Sequence, residues 1–156
     1  MVCKLVVLDC DNTLWPFEVK RTFRLPLNKD IITGRVQEAS GTELTPYPES
    51  STVIKAIADK DIKLAAASMN PQIAIIKEMF KAFNWYKNFE TIQAYMTPSK
   101  LTHFQAIHEV TKVPYEEMVF FDDKQRHIDD VSSLGVKCVL VQREDGITLK
   151  KVLDNI

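Results

Sequence analysis

Short apolar runs alternate with segments of helical periodicity along this chain, and that alternation limits the possible folds more sharply than any other feature. Residues 4–8, 62–67, 118–121 and 136–141 have the length and character of buried strands, and 90–95 is a weaker one. Between them the period becomes helical. Residues 49–59 place Val53, Ile54, Ile57 and Ala58 on one face behind the start signal of Pro48, and 71–83 do the same with Ile75, Ile76, Met79, Phe80 and Phe83. Further helices are predicted over 99–110, with Phe104, Ile107 and His108 in register, over 126–134, closed by Gly135, and over 149–156. Apolar strands alternating with helices predict an α/β fold, a doubly wound parallel sheet sandwiched by helices with right-handed crossovers. The 156 residues, 46% of them hydrophobic, suit a single domain spanning 1–156 with no large cap domain.

Residues 16–46 break the rhythm. They are polar and β-prone, with Gly34 and Gly41 as turn signals, and show neither helical period nor a buried run. They are expected to form a small β-hairpin flap inserted after the first strand, above the carboxyl ends of the parallel strands.

Charge and composition exclude several classes. Lys and Arg number 20 against 21 acids, so no global field recruits nucleic acid or an anionic membrane, and neither is an expected partner. The four glycines form neither a GxxxxGK[ST] nor a GxGxxG loop. Cys3, Cys10 and Cys138 are odd in number and each lies in or beside an apolar run, so buried reduced thiols are expected. Cys138 and Arg143 are spaced C-x4-R, one residue short of a thiolate phosphatase loop. Lys4 and Asp9 interrupt any signal-peptide pattern, and no run approaches the ~20 apolar residues of a membrane span. A cytoplasmic or nuclear location is the expectation, and nothing in the pattern demands more than a monomer.

The first strand ends in Asp9 and Asp11, within "LVVLDCDNTLW". Acids at the edge of a core repel each other and lose hydration, so a cation or basic side chains must offset the cost. Ser68 follows "IKLAAA", Asp122 and Asp123 follow "MVFF", and Lys100 opens the helix after the weaker strand. All fall at carboxyl ends of predicted parallel strands, where a doubly wound sheet builds its crevice. Several carboxylates with few thiols or imidazoles make a hard oxygen site suited to Mg²⁺, and the lysine and serine suggest a bound anion beside it, a phosphate monoester above all.

The stretches "LDCDNTLW", "AAAS", "PSKLTHF" and "VFFDD" resemble, in order and position, the four motifs of the haloacid dehalogenase superfamily of phosphotransferases. With "TLWPF" and "YPE" the likeness narrows to small magnesium-dependent phosphatases of that superfamily without a large cap, and it runs nearly the full chain. The resemblance implies a Mg²⁺-dependent phosphatase working through an aspartyl-phosphate intermediate, with Asp9 as nucleophile and Asp11 as general acid and base. It assigns the metal to Asp9, the backbone carbonyl of Asp11, and Asp122, with Asp123 acting through water or a hydrogen bond. Ser68 and Lys100 would bind the transferring phosphoryl oxygens, Met69 would contribute a backbone donor, and Thr13 would hold the loop and help orient Asp11. Implied substrates are phosphotyrosine-type or phosphosugar-type esters, including phosphorylated glycated amines. The alternatives are a nucleotide or polynucleotide-end phosphatase of the same superfamily, and a non-catalytic receiver-like signalling module, in which the acid pair would sit elsewhere.

Departures from that pattern cluster near the substrate. Met69 and Asn70 replace an arginine and a threonine, and His127 replaces an asparagine, so substrate choice is what they put in question. Trp15, Phe17 and Tyr47 are placed either to stack on a substrate or to pin the flap. His103 and His108, five apart, are expected to pack rather than to ligate.

Overall fold

The computed structural model describes residues 2–156. In chain order the strands are β1 (Leu5–Leu8), β2 (Asn28–Lys29), β3 (Val36–Gln37), β4 (Lys63–Ser68), β5 (Phe89–Ala94), β6 (Met118–Asp122) and β7 (Lys137–Leu140). The helices are α1 (Ser50–Asp59), α2 (Ile73–Ala82), α3 (Leu101–Thr111), α4 (Gln125–Ser132) and α5 (Leu149–Leu153). Each predicted strand and helix is present, with ends that differ by a few residues where the last turn frays.

Five strands form a parallel sheet in the order β5-β4-β1-β6-β7. The chain leaves β1 toward β4 and β5, then returns to the other side of β1 for β6 and β7. This reversal opens a crevice at the carboxyl end of β1, between β4 and β6. Successive strand residues alternate between two cores. Val6, Leu8, Leu64, Ala66, Val119 and Phe121 pack with α1, α2 and α5 residues such as Ile54, Phe80 and Val152. Leu5, Val7, Ala65, Ala67, Met118 and Phe120 pack on the opposite face with Phe104 and Ile107 of α3 and Val131 of α4. Two helical layers on one apolar sheet explain why these strands carry no polar face.

Residues 16–46 do contain an antiparallel hairpin, β2 with β3, but its position differs from the expectation. Lys29 Nζ donates to the Ala82 carbonyl at 2.6 Å, so the hairpin docks on the end of α2 rather than above the acids. Single apolar residues cause this: Val19, Phe23, Val36 and Leu44 are buried in the α1–α2 core, anchors that a search for continuous runs does not register. Glu38, fully enclosed, is the segment's polar anchor. It accepts from the backbone N–H of Arg24 (2.8 Å) and Thr42 (2.9 Å) and from the Ser40 hydroxyl, contacts that hold its pKa down to about 2.

The thiols split. Cys10 is buried, whereas Cys3 and Cys138 are only partly so, a correction to the expectation for all three. Burial pushes Cys138 up to about 12, which leaves no thiolate to work with Arg143. His103 is fully buried, its ring stacked on Tyr95 and its Nε2 placed 2.9 Å from the Tyr95 carbonyl, and burial lowers its pKa to about 4. His108 packs against Tyr115, so both histidines are packing residues.

Candidate active site

Asp9 is the first residue beyond β1, and its backbone N–H donates to the Phe121 carbonyl at 3.0 Å, continuing the ladder with β6. The chain then turns sharply. Asn12 takes a left-handed φ of 61°, and the N–H groups of Thr13 and Leu14 both return to the Cys10 carbonyl. This turn lets Asp9 and Asp11 flank one opening while Cys10 points into the core.

Asp9 Oδ1 accepts from Lys100 Nζ at 2.8 Å, and Oδ2 from the Thr13 hydroxyl at 3.0 Å. Thr13 therefore orients Asp9, not Asp11, and it is fully buried behind the nucleophile candidate rather than placed among phosphate-binding groups. Lys100 spends its three donors on Asp9, on the Ala67 carbonyl (2.8 Å) and on Asp122 Oδ2 (2.7 Å). A phosphoryl oxygen reaching this ammonium would share or replace one of those partners. Asp122, at the end of β6, also meets His127 Nδ1 at 2.8 Å and accepts from the Lys124 backbone N–H at 2.9 Å.

Burial penalises every charge in this cluster. It would raise Asp122, but Lys100 and His127 hold that carboxyl down to about 2. Asp9 shares the same ammonium without the imidazole, so burial and the Asp122 charge leave it well above the usual carboxylate range. Burial would lower Lys100, but the two carboxylates more than offset it and raise its pKa. The cluster lacks positive charge, and the deficit falls on Asp9.

Asp11 faces a different environment. Its Oδ1 accepts from Trp15 Nε1 (2.8 Å) and the Val19 backbone N–H (3.2 Å), and its Oδ2 from Asn70 Nδ2 (2.8 Å). Burial still raises its pKa against those three donors. Trp15 is fully buried between Phe17 and Trp85, so its role is to pin the loop and Asp11, not to stack on a substrate. Tyr47 is likewise buried, its hydroxyl bonded to the Arg143 carbonyl at 2.6 Å.

One ligand oxygen each from Asp9, Asp122 and Asp123 lies within 4.8 Å of the others. The Asp11 side chain is outside this group, occupied by its own donors. Asp123 Oδ2 accepts from Arg143 Nε at 2.7 Å, while Oδ1 is buried with no hydrogen-bond partner among the described residues. An all-oxygen donor set with one orphaned carboxylate oxygen fits a hard divalent cation and the missing positive charge.

Ser68 ends β4 and is almost fully buried; its oxygen accepts from the Asn70 backbone N–H at 3.1 Å, leaving its own O–H free to donate. Ser68, Met69 and Asn70 line a narrow cavity with Asp9, Asp11, Asn12, Glu18, Asp123, Lys124 and His127. Its volume of about 40 Å³ is on the scale of a small group such as a phosphoryl. Cavities of about 550 and 730 Å³ lie beside the hairpin and the end of α2, but none of the clustered acids lines them, and chemistry outweighs size. No local pattern announces Trp15, Asn70 or Arg143 as partners of the acids, since each contact depends on side-chain direction or on chain-distant neighbours.

A DxDxT loop on the central strand, with a serine, a lysine and paired aspartates at neighbouring strand ends, defines a phosphatase of the haloacid dehalogenase superfamily. The chain matches the acid phosphatase family over residues 1–156, and it belongs to that family. It is 37% identical over 147 residues to magnesium-dependent phosphatase 1 of Homo sapiens, spanning 94% of this chain and 81% of that protein. It is 27% identical to a HAD-like hydrolase superfamily protein of Schizosaccharomyces pombe, over 97% of this chain and 93% of that one. In fold it is similar to the crystallised N-terminal part of a Bacteroides fragilis protein containing a phosphatase domain complexed with Mg. That likeness has a TM-score of 0.71 at 19% identity, and covers 97% of this chain but 39% of that chain.

Proposed function

We propose that this chain hydrolyses phosphomonoesters with magnesium as its cation, through an aspartyl-phosphate formed on Asp9. The single observation that carries the proposal is the placement of Asp9, buried at the end of the central strand beside a phosphoryl-sized cavity in a cluster short of positive charge. The magnesium-dependent relative and the oxygen donors support the choice of ion. Asp9, Asp122 and Asp123 would hold it. When bound, it neutralises the repulsion between carboxylate and phosphate dianion and orients the ester.

The protein's own groups supply the remaining steps. Asp9 attacks phosphorus, and its new O–P bond forms as the bond to the leaving oxygen breaks. Asp11 gives that oxygen a proton. In the second half, Asp11 takes a proton from water as the water oxygen attacks phosphorus, and the bond to Asp9 breaks to release phosphate. Ser68 donates its free O–H to a phosphoryl oxygen, and Lys100 aims Asp9 and favours its ionised form, with the cation making up the remaining charge. Thr13 fixes the other Asp9 oxygen.

Only the phosphoryl group fits inside, so the organic part of the substrate meets the rim, where Glu18, Met69 and Lys124 stand. Such a rim suits phosphotyrosine-type and phosphosugar-type esters, including phosphorylated glycated amines. A panel of phosphate esters assayed with magnesium and with chelator tests both class and reaction. Asp9→Asn is expected to abolish turnover while the circular dichroism spectrum stays native. Full turnover by that variant would overturn the nucleophile assignment.

A further inference from the structure

Asn70 has a fully committed side chain. One amide hydrogen of Nδ2 goes to Asp11 Oδ2 at 2.8 Å and the other to the Val19 carbonyl at 2.7 Å. Its Oδ1 accepts from the Gln72 backbone N–H at 2.9 Å, and its own N–H reaches Ser68 Oγ at 3.1 Å. The amide has one workable orientation, because a flip would press its oxygen against a carboxylate and a carbonyl at once.

We propose that Asn70 is a positioning residue for Asp11: it aims the one carboxyl oxygen available for proton transfer and locks it to the start of the 16–46 segment. Asp11 Oδ1 already accepts from Trp15 and Val19, which fills both of its lone-pair directions. Among the described residues Oδ2 accepts only from Asn70, so its second lone pair remains for the proton that travels to the leaving oxygen. Because the same NH₂ group holds the Val19 carbonyl, Glu18 at the cavity rim and the Asp11 carboxyl are tied through one side chain. Asn70 touches neither phosphorus nor the leaving group; it acts through Asp11. A threonine there would offer a single donor, and could not hold both partners.

The inference rests on the general-acid role proposed above for Asp11, and leaving-group chemistry tests it. An alkyl phosphate needs its leaving oxygen protonated, whereas p-nitrophenyl phosphate expels a stable anion. With magnesium saturating, Asn70→Ala is expected to lower kcat/KM for an alkyl phosphate roughly 10–100-fold and for p-nitrophenyl phosphate less than about 3-fold, with Asn70→Ser recovering part of the loss. Equal losses on both esters, or no loss, would overturn the proposal. A second readout needs no turnover: the Trp15 indole N–H resonance, which reports the Asp11 carboxylate, is expected to shift in Asn70→Ala. Should that variant fail to fold, Asn70→Ser is expected to show the same two signatures in smaller degree, and their absence would overturn the proposal. If the unmodified protein hydrolysed no phosphomonoester, the reaction would be wrong, and an unmoved indole resonance would separately refute the role of Asn70.

Discussion

Lys100 Nζ lies 2.8 Å from Asp9 Oδ1 with its side chain fully enclosed, so a lysine at the start of α3 and an acid at the end of β1 form a buried ion pair across the sheet edge. The same ammonium reaches Asp122 at 2.7 Å. One positive charge thus serves two carboxylates, and the site is poised for a second cation.

Removing that lysine leaves two buried carboxylates facing each other. Lys100→Met is expected to destabilise the metal-free protein by about 3–5 kcal/mol at neutral pH. The loss should shrink as pH falls, since protonating either acid removes the repulsion. Denaturant titration at several pH values checks this. A loss under about 0.5 kcal/mol, typical of a surface substitution, would contradict the buried pairing.

Magnesium held as proposed by Asp9, Asp122 and Asp123, which only the fold brings together, would stabilise the folded protein. At a magnesium concentration of about 100 Kd the gain is about 2.7 kcal/mol. Asp123→Asn, which alters the carboxylate with the orphaned buried oxygen, should weaken calorimetric Mg²⁺ binding and reduce the gain. An unchanged melting temperature on adding magnesium to the unmodified protein would count against the site.

The sheet and its helices were legible because strand runs and helical periods are local properties, and the catalytic candidates because strand ends converge in a parallel sheet. The hairpin's position is not legible in the same way. Its docking depends on scattered anchors such as Val19, Phe23 and Val36 and on the bond from Lys29 to the Ala82 carbonyl, 53 positions away. Thr13 meets Asp9 rather than the expected Asp11 because a turn at Asn12, with positive φ, directs its hydroxyl to Asp9. Arg143 meets Asp123 from a loop 20 residues later, a contact that no local pattern announces.

Glu38 makes hairpin stability depend on pH. Its folded pKa of about 2 lies below the ordinary 4.5, so it binds its proton less readily when folded. That contribution is present above pH 4.5 and is lost as pH falls toward 2. Amide exchange in residues 24–42 should accelerate across that window in the unmodified protein. In Glu38→Gln it should be faster at neutral pH and change little on acidification; identical profiles would refute the anchor.

Gly146 takes a φ of 66°, and an added Cβ would sit 2.2 Å from the Tyr47 ring. Gly146→Ala should cost about 2–4 kcal/mol, from the left-handed backbone and the overlap together. Displacing Tyr47 also frees the Arg143 carbonyl and loosens the Arg143 clamp on Asp123, so Mg²⁺ affinity should fall with stability. Native stability in this variant would show that the ring moves freely.

Trp15→Phe removes the indole donor to Asp11 while keeping an aromatic ring in the stack. Losing a donor to the anion raises the Asp11 pKa further, so the basic limb of the kcat/KM profile, where the general acid loses its proton, should move to higher pH. The stability loss expected for a hydrogen bond to a charged group is about 1.5–3 kcal/mol. A pH profile that stays in place would detach Trp15 from the proton transfer.

The covalent step is tested most directly by quenching turnover in acid, reducing the trapped acyl-phosphate with borohydride, and mapping the reduced residue by peptide mass spectrometry. The predicted result is reduction at position 9 alone, dependent on both substrate and magnesium. No reduced residue under rapid quench, or reduction at Asp11 or Asp122 instead, would contradict the account.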